Sequence, residues 1–187
     1  RDNTDSEWLL NYDNAMKLKD QLCAQGAKVI FLQGKKRLIK EEVANVAKNK
    51  ADMFISVHVN SGCDNVKDRT QIYPRKQNMS ETMQKKCFRL AGIMEKNLDN
   101  WIPKHEKISS SEAFINSTSK KQDYAQVSLN DERTNVLEAP MNKQGIPGVI
   151  WEVAFMSSAK GRARMKDPAI MKNYAEVMTQ SVIEYFN

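Results

Sequence analysis

The chain has 187 residues, enough for one domain with a sizeable core. Its 41% hydrophobic and 28% charged content excludes a disordered polymer, and no apolar run approaches the roughly 20 residues needed to cross a bilayer. A net charge of +6 favours anionic partners, but the basic residues are scattered and lack interleaved aromatics, which argues against a dedicated nucleic-acid module.

The first residues, Arg1-Asp2-Asn3-Thr4-Asp5-Ser6, carry neither an initiator Met nor a basic-then-apolar leader, so the chain reads as a trimmed piece of something longer. Ser6 to Gln25 has helical periodicity through Leu9, Tyr12, Met16 and Cys23, with Gly26 as its stop. This places Cys23 on the apolar face. Lys28–Leu32 (KVIFL) reads as a buried strand, residues 33–37 as a connector, Leu38–Asn49 as a helix and Ala51–His58 as a second buried strand. This alternation predicts an α/β fold with a mostly parallel, twisted sheet and helices on both faces.

Further on, Thr70–Tyr73 reads as a short strand and Ser80–Leu98 as a helix with Met83, Cys87, Leu90, Ala91 and Met94 on one stripe. Residues 104–133 read as an irregular surface segment with a short helix at 119–127, followed by a short strand at 135–138. Gly148–Val153 is a third buried strand, and Asp167 caps a final helix from Pro168 to Phe186. The methionines, ten in all, sit mostly at core helical positions and read as packing. Cys23, Cys63 and Cys87 have no CxxC spacing, so a cysteine metal site is not expected.

Two residues carry chemical interest. His58 follows the apolar run MFISV at the carboxyl end of a strand, the edge where open α/β sheets bind ligands. It could be a metal ligand, a general base, or a histidine bonded to backbone. Glu152 lies inside GVIWEVAF, and carboxylates are rarely buried unless paired, metal-bound or kept for a shifted pKa. With Trp151 and Phe155 beside it, Glu152 suits a general base of raised pKa. A salt bridge to one of the lysines is the other reading.

The runs ADMFISVHVNSG and VLEAPMNKQGIPGVIWEVAFMSS, together with Glu7 followed by Asn11, Ala15 and Leu18, resemble the zinc-dependent N-acetylmuramoyl-L-alanine amidases of bacterial cell walls. The three segments stand in the family's order and span nearly the whole chain. The resemblance implies Glu7 and His58 as zinc ligands, Glu152 as the catalytic carboxylate, and Asn60 near the substrate. It implies one catalytic domain over 1–187 with an amidase-like fold and bound Zn2+. It also implies hydrolysis of the bond between muramic acid and L-alanine, peptidoglycan as partner, and a periplasmic or extracellular location. A monomer, with a regulatory activator protein as a further partner, is expected as well.

The chain departs from the family pattern in two ways. The family's first zinc ligand, in a His-Gly-Gly motif on a first strand, has no counterpart here, so that strand is expected to be lacking. Glu42 stands where the family often carries Arg. His105, the other histidine, reads as a surface residue. An amidase-like domain that binds wall or a partner without turnover is the alternative function.

Overall fold

The computed structural model describes residues 7–32, 44, 46–61, 70–74, 80–101, 112–113 and 145–187. Helix α1 spans Glu7–Ala24 and strand β1 spans Phe54–Asn60. They are followed by β2 (Gln71–Pro74), α2 (Glu81–Trp101), β3 (Glu112–Ala113) and β4 (Gly148–Phe155). Helices α3 (Ala159–Lys166) and α4 (Pro168–Phe186) complete the order. The four strands form one sheet in the order β1-β4-β2-β3.

The sheet is mixed rather than uniformly parallel. β1 pairs β4 in parallel and β2 pairs β3 in parallel, but β2 runs antiparallel to β4. The link from β1 to β2 covers only residues 61–70, too short for the crossover that a parallel return requires. β2 therefore reverses direction and lies on the far side of β4.

Side chains of a strand alternate between faces. Val149, Trp151 and Val153 of β4, Ile72 of β2 and Val59 of β1 enter a single core cluster. Leu10 and Leu18 of α1, Leu90, Met94 and Leu98 of α2, and Tyr174 and Met178 of α4 close it. Three helices thus cover one face of the sheet. On the other face, Phe54 packs with Val46, Ile146, Leu32 and Ala51, and residues 46–48 are helical. Of the helix read at 38–49, Asn49 is in a turn, Ala44 is helical, and residues 38–43 and 45 lie outside the described residues.

Burying each large side chain contributes roughly 1.5–3 kcal/mol. Trp151, Tyr174, Ile72, Leu90, Met94, Leu98 and Met178 of this cluster are all fully buried, so this face holds most of the packing energy. Four methionines, Met94, Met165, Met171 and Met178, belong to this cluster, as packing residues should, and Met83 is buried outside it. Beneath β4, Val153 O accepts hydrogen bonds from Thr70 Oγ1 (2.9 Å) and Arg164 Nη2 (3.1 Å). The Arg164 guanidinium also lies 5.5 Å from the Tyr174 ring centre, which ties β4 to α3 and α4.

Several sequence expectations are corrected. Lys28–Leu32 is not a strand: residues 27–32 carry no regular structure, with Val29–Leu32 half-buried. A strand needs a ladder, and among the described residues β1 pairs only with β4, leaving this apolar run to pack instead of pair. Phe31 meets Tyr12 edge-on at 5.6 Å. Cys23 is exposed, because the buried positions of α1 are Leu10, Asn14 and Leu18, and continuing their four-residue spacing leads to Leu22. Cys87 is buried, and its Sγ accepts from Gly148 N at 3.4 Å.

Two elements escaped the sequence reading. Helix α3 has one buried apolar residue other than glycine, Met165, so it lacks an apolar stripe; its Ser158 cap, which accepts from Gly161 N, was the available signal. β3 lies within the segment read as irregular. The Asp167 cap of α4 is as expected, accepting from Ala169 N and Ile170 N. The short helix at 119–127, the strand at 135–138, Glu42, Cys63 and His105 lie outside the described residues.

Candidate active site at the ends of two parallel strands

The parallel register places His58 of β1 directly opposite Glu152 of β4, so both point to the same face of the sheet. This is the face away from Trp151 and Val153. On its other side Glu152 is opposite Gln71 of β2. A row of three polar residues, His58, Glu152 and Gln71, therefore crosses the sheet.

Glu7 reaches the same place from the first turn of α1, where a carboxylate also complements the positive end of the helix dipole. Its Oε1 lies 3.6 Å from His58 Nδ1. Asn11, one turn on, donates from Nδ2 to the same oxygen at 3.4 Å and helps hold its orientation. Both side chains are about half exposed, 43% for His58 and 52% for Glu7.

Glu152 sits in a different environment. Its Oε2 is buried and has no hydrogen-bond partner among the described residues. Burial is the main cause that pushes its pKa up from 4.5 to about 7; His58 nearby pulls it down and the Glu7 carboxylate pushes it further up. One site thus holds two carboxylates in contrasting states, one solvated and paired with a histidine, the other buried and able to hold a proton near neutral pH.

The Glu7–His58 pair can be tested against zinc. Zinc bonds of about 2.1 Å at tetrahedral angles put neighbouring donor atoms about 3.4 Å apart. The observed 3.6 Å fits two corners of such a site. Among the described residues no group of three or more His, Cys, Asp or Glu is placed to hold a metal ion.

Asn60 ends β1. Its Oδ1 accepts from Ser61 N and its Nδ2 donates to Gln71 Oε1, each at 2.8 Å. Tyr73 Oη donates to the same Gln71 oxygen at 2.7 Å. Because Ser61 N can only donate, the chain of bonds fixes both amides: Asn60 nitrogen and Gln71 oxygen face each other across β4. Gln71, fully buried, and Tyr73 are site neighbours that the sequence reading missed. The signal was present in a short strand, QIYP, whose alternate positions are Gln71 and Tyr73.

Comparison with known proteins identifies the family and the fold. The family model for N-acetylmuramoyl-L-alanine amidase matches residues 1–184. No curated protein sequence matches significantly. Among solved structures, the N-acetylmuramyl-L-alanine amidase Ami1 from Mycobacterium smegmatis is similar with a TM-score of 0.69 at 16% identity, covering 96% of this chain and 76% of that one. The catalytic domain of CwlV, an amidase from Bacillus (Paenibacillus) polymyxa var. colistinus, gives 0.62 at 18% identity, covering 97% and 85%. The CwlD amidase from Clostridioides difficile, solved in complex with the GerS lipoprotein, gives 0.56 at 16% identity, covering 95% and 84%. The chain belongs to the N-acetylmuramoyl-L-alanine amidase family.

Proposed function

We propose that the chain hydrolyses the amide bond between N-acetylmuramic acid and the L-alanine of peptidoglycan stem peptides, with Glu152 as general base. The observation that carries this reading is the buried, neutral-range carboxylate of Glu152 in register with His58, in a chain of this family.

Glu7 and His58 would hold a zinc ion, together with a ligand from outside the described residues. Bound there, zinc supplies a Lewis acid and a water of lowered pKa. Glu152 takes a proton from the attacking water as its oxygen bonds to the scissile carbonyl carbon, and delivers that proton to the L-alanine nitrogen as the C–N bond breaks. Burial raises the proton affinity of Glu152 in the metal-free chain to a pKa of about 7, and a cation at Glu7 and His58 would lower it from there, so the carboxylate is free to accept a proton at neutral pH and still basic enough to hold it briefly. Asn11 keeps Glu7 turned toward His58. Asn60 and Gln71 fix the floor of the site beside Glu152, with Asn60 at the substrate edge.

This reading places the protein in the periplasm or outside the cell, acting on the wall as a monomer. An activator protein is a fitting partner, as the complex of the similar CwlD with GerS suggests. The alternative is an amidase-like domain that binds wall or a partner without turnover. The test is release of stem peptide from purified muropeptides by the full chain, before and after chelation. The expected result is release that stops on chelation and returns with added Zn2+. Wall binding without any release under zinc would favour the alternative.

A further inference from the structure

We propose that Arg162 forms a subsite for a free carboxylate of the stem peptide, at the rim of the proposed active site; this rests on the amidase reading above. Helix α3, residues Ala159–Lys166, carries Lys160, Arg162, Arg164 and Lys166 and no acidic residue. Their environments differ. Arg164 is buried and bonded to Val153 O beneath the strand. Arg162 is half-buried, and its Nη1 donates to Met156 O.

That bond fixes where the guanidinium stands. Met156 is the residue after β4, and its N–H donates to Asn60 O, the last residue of β1, at 2.8 Å. Arg162 is therefore anchored at the carboxyl ends of the two strands that present His58 and Glu152. At about 3.3 Å per residue, the two positions from His58 to Asn60 and the four from Glu152 to Met156 put the rim about 7–13 Å from the reacting groups. An extended peptide covers that span in about two to four residues. A carboxylate on the stem peptide just past the scissile bond would fall within reach of Arg162.

The chemistry of the group fits this role. A guanidinium has five N–H donors in a planar fork that matches a carboxylate, and Met156 O takes one of them. Among the described residues Arg162 has no carboxylate partner. Asp167, the nearest acid in sequence, caps α4 through Ala169 N and Ile170 N. Lys160, exposed two residues earlier, adds to the positive charge of this short helix.

The test is equilibrium binding of a tetrapeptide that begins with L-alanine and carries glutamate at its second position, compared with the same peptide fully amidated. The expected result is about tenfold tighter binding of the acidic form by the wild-type chain. In Arg162→Gln that preference disappears while the amidated peptide binds as before. A merely structural role for Arg162 would weaken both peptides equally, and that outcome overturns the proposal. So does a wild-type chain with no preference, or one that binds neither peptide. If Arg162→Gln does not fold, Arg162→Lys keeps the charge and loses the fork; it is expected to lose most of the preference, and full retention would overturn the proposal. Poly(glycerol phosphate) binding that depends on Arg162 while peptide binding does not would also overturn it, in favour of a wall polymer. The assay needs no turnover, so binding through Arg162 without hydrolysis would leave the subsite standing and remove the catalytic reading.

Discussion

The two faces of β4 differ sharply although they share one backbone. Val149, Trp151 and Val153 face a dry core built by α1, α2 and α4. Glu152, one residue away from both Trp151 and Val153, faces His58 and Gln71 across the neighbouring strands. The two-residue period of the strand is what separates stability from chemistry. The same burial that makes Trp151 favourable makes Glu152 costly. The core side gains from losing water, whereas the carboxylate holds its proton up to about pH 7 to avoid a buried charge. If this division is right, substitutions on one face should change stability, and those on the other should change activity or metal binding.

The largest stability effect is expected at Trp151. Trp151→Ala should cost about 3–5 kcal/mol in urea unfolding, because the fully buried ring packs beside Tyr174 at 6.1 Å and its removal leaves a cavity. A loss under 1 kcal/mol would break the comparison.

Glu152 should show the opposite sign. Its folded pKa lies above its unfolded value, so the metal-free protein gains relative stability when the carboxyl is protonated. That gain is present below about pH 4.5 and is lost as pH rises through about 7. Above pH 7, Glu152→Gln should be more stable than the metal-free wild type by about 3 kcal/mol, with the gap closing toward pH 4. Denaturant titrations at several pH values check this; a gap independent of pH would show that burial does not set the proton affinity of Glu152. A cation held by Glu7 and His58 should shift the midpoint down, since positive charge favours the ionised form.

The smallest effect is expected at Asn11. Asn11→Ala removes the 3.4 Å bond that steadies Glu7 and should weaken zinc binding about tenfold with little change in unfolding free energy. Competition with a chelator of known affinity reads this directly. Unchanged affinity would mean that Glu7 is held from elsewhere.

Legibility in the sequence followed the same division. The apolar runs that end at His58 and enclose Glu152 showed as strands because apolar residues on both faces, half-buried in β1 and mostly buried in β4, leave a continuous hydrophobic signature. The register that puts the two residues opposite each other was not visible, because it depends on which strands pair. Lys28–Leu32 carried the same apolar signature, yet it packs against Tyr12 and the Val46 cluster without joining the sheet. Composition alone cannot distinguish a strand from an apolar run that lacks a ladder. The role of Glu7 came from the family resemblance and that of Glu152 from its position and the resemblance together, whereas the placement of Gln71 and Arg162 came from register and hydrogen bonds. The antiparallel placement of β2 was likewise hidden in a ten-residue link, residues 61–70.

The central claim is that Glu152 is the base and not a zinc ligand. The direct measurement is stem-peptide release from muropeptides, with zinc content determined on the same samples, for the wild-type chain and Glu152→Gln. The expected result is an equal zinc content and a fall in kcat of about 10²–10⁴ for the variant. Turnover close to wild type, or loss of zinc together with activity, would contradict the assignment.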